Sequence, residues 1–172
     1  LPRFTHEAAD VIKGHANDRR YNGMPLMLYL AYPAPHTPWL PSPEFTGRSS
    51  AGMYGDFMMM VDAQIGMVIR ALEESGLSDN TLLVFTSDNG PVWYEEDVER
   101  LGHDSSGGLR GMKADAWEGG HRMPFIIRWP GVVEAGSNSG QVICFTDLLA
   151  TIAEISGAEI PGDAITDSYS FL

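Results

Sequence analysis

The chain has 172 residues, 44% of them hydrophobic and 20% charged, with a formal net charge of −12. That is enough apolar material for one domain with a core. The acidity disfavours nucleic acid and anionic membrane surfaces as partners, so an anionic substrate would need a local positive field. The single cysteine, Cys144, excludes an intrachain disulfide, and no apolar run reaches the length of a membrane span. The start at Leu1-Pro2-Arg3 carries no signal-peptide pattern, and both it and the end at Ser170-Phe171-Leu172 read as cuts in a longer protein.

Residues 4–16 predict a helix with Phe4, Ala8, Val11 and Ile12 on one face. Leu26-Met27-Leu28-Tyr29-Leu30-Ala31-Tyr32 predicts a strand buried on both faces. Pro33, Pro35, Pro38, Pro41 and Pro43 then make 33–50 an extended, rigid loop. A second helix is predicted over about 53–75, where Val61, Ile65, Val68, Ile69 and Leu72 share a face and Gly76 caps the end. Within it, Phe57-Met58-Met59-Met60 reads as core filler and Asp62 as a structural partner.

Thr81-Leu82-Leu83-Val84-Phe85-Thr86 predicts a strand that stops at Ser87-Asp88-Asn89-Gly90. Residues 91–123 are a long polar, glycine-rich excursion of the kind that carries function. Phe125-Ile126-Ile127-Arg128-Trp129 predicts a strand closed by Pro130-Gly131. Residues 147–156 predict a helix with Thr146 as N-cap and Gly157 beyond its end. The alternation argues for an α/β fold with a mostly parallel sheet. In such folds ligands sit beyond the carboxyl ends of strands, where His36 and Asp88-Asn89 fall.

Asp88 and Asn89 offer a carboxylate and an amide oxygen side by side, the donors that hard cations take. Gly90 would let the backbone turn sharply behind them, although Asp-Asn-Gly is also ordinary turn chemistry. Two ligands cannot fill a six- to eight-coordinate site, so others must come from elsewhere. Lys113 is a compact charge suited to sulfate or phosphate oxygens, or else a solvated surface lysine. Arg110 and Arg122 are expected to pair with Asp115 or Glu118 and brace the loop. His36 can donate to an anionic oxygen or move a proton; His6, His15, His103 and His121 read as exposed.

In their order these segments resemble a known family. Leu28 to Pro38, with His36, resembles the sulfatase segment that supplies a sulfate-contacting histidine. Leu83 to Pro91 resembles the strand-end motif holding two calcium ligands. Gly111 to Pro124 resembles the segment whose lysine contacts sulfate. Thr146 to Leu149 and Gly162 to Leu172 resemble the family's next helix and its trailing segment. The resemblance to formylglycine-dependent, arylsulfatase-like sulfatases implies an alkaline-phosphatase-like α/β domain, a large mixed sheet between helices. Residues 1–172 would be the C-terminal part of its catalytic domain. It implies a bound Ca²⁺ with Asp88 and Asn89 as ligands, and His36 and Lys113 contacting the sulfate. It also implies cleavage of a sulfated small molecule or glycan, with no nucleic acid partner and no membrane span, in an exported protein (periplasmic, extracellular or lysosome-like).

The chain departs from the family in one region. Formylglycine arises from Cys or Ser in a C/S-x-P-x-R motif, and none of the eleven prolines has Cys or Ser two positions earlier. The early aspartate pair that completes the family's calcium site is not identifiable either, nor are the lysine and histidine that surround the nucleophile. All of these precede the matching region in the family, so the nucleophile is expected upstream and this piece alone is expected to be inactive. Two other readings stand beside this one: a related phosphoesterase of the same superfold, and a non-catalytic remnant that binds anions or serves structure.

Overall fold

Helix α1 (Pro2–Asn17) starts with proline in its first turn, where the missing N–H costs no intrahelical bond. The computed structural model describes residues 1–162, 164 and 167–172, so part of the trailing 162–172 segment lies outside the described residues. Thr5, Ala8 and Ile12 form the buried stripe of α1, whereas Phe4 and Val11 are about half exposed. The apolar face expected there is therefore rotated towards Thr5. Its hydroxyl meets the Tyr32 phenol at 2.7 Å and is satisfied inside.

Helix α2 (Gly52–Glu74) buries Val61, Val68 and Leu72 as the periodicity requires, with Ile65 and Ile69 partly covered. Ala8 and Ile12 of α1 pack with Val68, Ala71 and Leu72, and Ala9, Leu30, Leu77 and Leu83 close around them. Each fully buried leucine or isoleucine there contributes about 1.5–3 kcal/mol of transfer free energy. Gly76, at φ +68°, ends α2 as expected. Its N–H donates to Glu73 O at 3.0 Å and that of Leu77 to Leu72 O at 3.0 Å, a Schellman arrangement that puts Leu77 against the core. Of the Phe57–Met60 run, Phe57 and Met60 are buried and Met59 is exposed.

Strand β1 (Leu83–Thr86) pairs with β2 (Phe125–Arg128) antiparallel, Leu83 opposite Arg128 and Thr86 opposite Phe125. The mostly parallel arrangement expected from the α/β alternation is not what joins these two. The intervening chain carries only the short helices α3 (Glu95–Leu101) and α4 (Glu118–His121). It lacks the long amphipathic helix of a parallel crossover.

Residues 26–32 form no regular strand. Leu30 reaches the core and Tyr32 the Thr5 hydroxyl, while Met27 and Tyr29 are 71% and 86% exposed. The segment keeps the two-residue alternation but is covered on one side. A strand is defined by pairing, and no backbone hydrogen bond ties 26–32 to a neighbour among the described residues. Residues 33–50 are bends and turns, as their prolines demand.

Residues 1–135 form one compact unit and 136–172 a second. In the second, α5 (Asp147–Ser156) ends at Gly157, φ +68°. Thr146 is the N-cap, as expected, but makes no side-chain capping bond. The Asp147 carboxylate acts there instead, accepting from Cys144 N at 2.8 Å and Tyr169 N at 2.9 Å. These bonds hold its pKa below the ordinary carboxylate value.

Candidate active site

The strand-end motif and the lysine segment meet through their backbones. Past the end of β1, the Gly90 N–H donates to Gly120 O at 2.9 Å and the Lys113 N–H donates to Pro91 O at 2.8 Å. Gly119 N also donates to Arg110 O at 2.8 Å, closing the 110–120 segment on itself. The junction is glycine-lined because the chains touch backbone to backbone. A Cβ on Gly90 would overlap the carbonyl oxygen of Gly119, one on Gly119 that of Gly111, and one on Gly120 that of Asp115. Gly90 does not take a positive φ. Its role is close approach, not the sharp turn expected from Asp-Asn-Gly.

Asp88 is exposed and Asn89 half-buried at this junction. Asn89 Nδ2 donates to Gly90 O at 3.0 Å, which leaves its amide oxygen as the group available to a cation. Ser87 Oγ approaches Asp88 Oδ1 at 3.4 Å. No cluster of three or more His, Cys, Asp or Glu side chains able to hold a metal ion occurs among the described residues. The two donors present are hard oxygens, the right chemistry for a calcium-like cation, and amount to part of a ligand set.

Lys113 is half-buried and tied to the motif by its main chain. His36 is exposed, between cis peptide bonds at Ala34-Pro35 and Thr37-Pro38. Its Nδ1 lies 2.7 Å from Thr37 O. A carbonyl only accepts, so Nδ1 is the donor in this contact. No hydrogen bond joins His36 to Asp88, Asn89 or Lys113 among the described residues. The structure thus joins the strand-end motif and the lysine segment through their backbones, and leaves His36 on its own loop.

The bracing arginines divide. Arg122 Nη1 meets Glu118 Oε2 at 3.1 Å, as expected. Arg110 instead lies over the Trp117 ring, 3.6 Å from its centroid, and Asp115 accepts the Met112 N–H at 3.0 Å.

An aromatic group not anticipated from the sequence stands beside this junction. Trp93 packs on Tyr54 (4.6 Å between ring centroids) and on Trp39 (6.0 Å), and meets His103 in a T-shaped arrangement at 5.7 Å between centroids. Trp93 Nε1 donates to His103 O at 2.7 Å, and Ser105 Oγ to the Tyr54 hydroxyl at 2.6 Å. Asp104 accepts from Ser106 Oγ and from the Ser106 and Gly108 amides. These bonds, led by the Ser106 hydroxyl, lower its pKa and keep it ionised. The only signal in the sequence was the presence of Trp39, Trp93 and His103 in loops and of Tyr54 at the start of the second helix, which alone does not say that they meet.

The sulfatase family model matches residues 3–158. This chain belongs to the sulfatase family. Steryl-sulfatase of Rattus norvegicus is 38% identical over 176 residues, covering 99% of this chain and 29% of that relative. A solved protein from the metabolism of multiple glycosaminoglycans by Bacteroides thetaiotaomicron superposes with a TM-score of 0.86 at 36% identity, over 97% of this chain and 34% of that one. The complex of Ps i-CgsB with k-i-k-neocarrahexaose superposes at 0.83 and 29% identity, over 97% and 36%. The chain thus carries part of the alkaline-phosphatase-like α/β fold of the sulfatases and spans about three-tenths of the curated relative's length. No helix among the described residues is long and apolar enough to cross a membrane.

Proposed function

We propose that the protein carrying this chain is a sulfuric ester hydrolase, and that residues 88–120 form half of its site. The observation that supports this most is the backbone junction that ties Lys113 to the Asp88-Asn89-Gly90-Pro91 strip. In this reading Asp88 and Asn89 give oxygen ligands to one divalent cation, Ca²⁺ by the hardness of the donors. Lys113 binds the sulfate oxygens and stabilises the charge that builds on them. His36 donates to the sulfate or towards the leaving oxygen. A formylglycine outside residues 1–172 would supply the nucleophile, and the cation would favour its ionised form.

The substrate is a sulfated small molecule or glycan, and the setting an exported one. A positive pocket made by the cation, Lys113 and His36 reconciles anion binding with a chain of net charge −12. The test is a panel of aryl sulfates, sulfated saccharides and the matching phosphate esters, offered to the purified full-length protein with Ca²⁺. Turnover of sulfate esters with phosphate esters inert is the expected result. Phosphate turnover alone would make it a phosphoesterase of the same superfold.

A further inference from the structure

Resting on that reading, we propose that the cavity walled by Trp93, Tyr94, Glu95, Val98, Asp104 and Met112 receives an uncharged sugar ring adjoining the reacting sulfate, and that Glu95 turns away a second anionic group.

The cavity measures about 460 Å³, inside the rough range of 300–1,000 Å³ typical of ligand pockets. Its wall adjoins in sequence both segments of the junction that holds the lysine backbone. Gly111 and Met112 of its wall lead directly into Lys113, and Trp93 follows Pro91, whose carbonyl holds the Lys113 N–H, by two residues. The wall is built in advance. Trp93 is 7% exposed, locked by Tyr54, Trp39 and the His103 carbonyl, while the 104–108 turn is closed on the Asp104 carboxylate. Such a wall takes a ligand with little loss of side-chain freedom.

Its chemistry selects the ligand. Tyr94, 53% exposed, offers an aromatic face for the apolar side of a ring, and the Glu95 carboxylate offers acceptor oxygens to hydroxyls. Among the described residues the lining holds two carboxylates and no Lys, Arg or His. Arg100 is paired with Asp97 at 2.6 Å, and Arg110 lies over Trp117. Asp104 is occupied by its own turn, whereas Glu95 is exposed and has no hydrogen bond or ion pair among the described residues. Glu95 is therefore the free charge that meets the ligand. A uronate or second sulfate placed there would face a like charge with no cationic side chain in the lining to offset it.

The experiment uses the full-length protein with two disaccharides, one with a single sulfate on the reacting ring and one with a further sulfate on the neighbouring ring. Binding by calorimetry and kcat/KM are measured for wild type, Glu95→Gln and Glu95→Lys. Expected is a wild-type preference of at least about tenfold for the monosulfated sugar, cut by at least about fivefold in Glu95→Lys and partly in the isosteric Glu95→Gln. A wild-type preference for the disulfated sugar, failure to bind either, or a ratio untouched in folded Glu95→Lys overturns the proposal. Binding that shows this pattern without release of sulfate would instead sink the hydrolase reading and leave the cavity's selectivity standing.

Discussion

The main-chain N–H of Lys113 is bonded to the carbonyl oxygen of Pro91 at 2.8 Å, so the lysine is held against the strand-end motif by atoms that no substitution of its side chain removes. Lys113→Ala should therefore keep the junction and lose only the ammonium. We expect kcat/KM of the full-length enzyme to fall at least about tenfold, the scale of losing one charge-stabilising contact, with the melting temperature little changed. Steady-state kinetics with unchanged kcat/KM would remove Lys113 from the site.

Two glycine-to-alanine substitutions should move stability in opposite directions. Gly90→Ala drives a methyl into the Gly119 carbonyl and should destabilise by about 1–3 kcal/mol. Gly14→Ala, in the interior of α1 with nothing within 4 Å of its new Cβ, should stabilise by about 0.5–1 kcal/mol. Urea titrations of both variants check the pair, and a neutral Gly90→Ala would contradict the backbone contact.

Asp88→Ala and Asn89→Ala should each lower the calcium bound by the full-length protein after dialysis, read by elemental analysis, and chelation should reduce sulfate release. The Asp88 change should cost more, because it removes a formal charge as well as a ligand. Wild-type calcium content in both variants would take the two residues out of the ligand set.

Asp56 makes stability pH-dependent. It is 2% exposed on α2 and accepts the N–H groups of Gly47, Arg48 and Ser49 at 2.7–2.9 Å. These bonds, that from Gly47 first, lower its pKa from the ordinary 3.8. Because the folded value is the lower one, the stabilisation is present above 3.8 and lost as pH falls through the depressed native value. Asp56→Asn should thus be less stable than wild type at pH 7, and the gap should close on acidification below 3.8. A gap constant with pH, in denaturation curves at several pH values, would assign the loss to packing.

Helices α1, α2 and α5 were legible because their signals are local, whereas the short α3 and α4 lay unread inside the polar 91–123 excursion. The apolar period of α2 and the glycines after α2 and α5 specify turns and caps within a few residues of themselves. The sulfatase character was legible for a related reason: Asp88-Asn89, Lys113 and His36 each sit in a short, ordered motif. Pairing is a different matter. That 125–128 runs antiparallel to 83–86, and that 26–32 has no backbone partner among the described residues, depends on which chain lies alongside, which no local pattern encodes. The same holds for the Gly90–Gly119 approach, the stacking of Arg110 on Trp117 and the Trp93 wall. Residues far apart in the chain meet there, as Tyr54 and Ser105 do. Sequence alone determined the three longer helices, the β1 and β2 segments and the donor types, because propensity and chemistry belong to single residues and their near neighbours. Only tertiary structure decided which of them face one another, because contacts between distant segments arise from packing the whole chain.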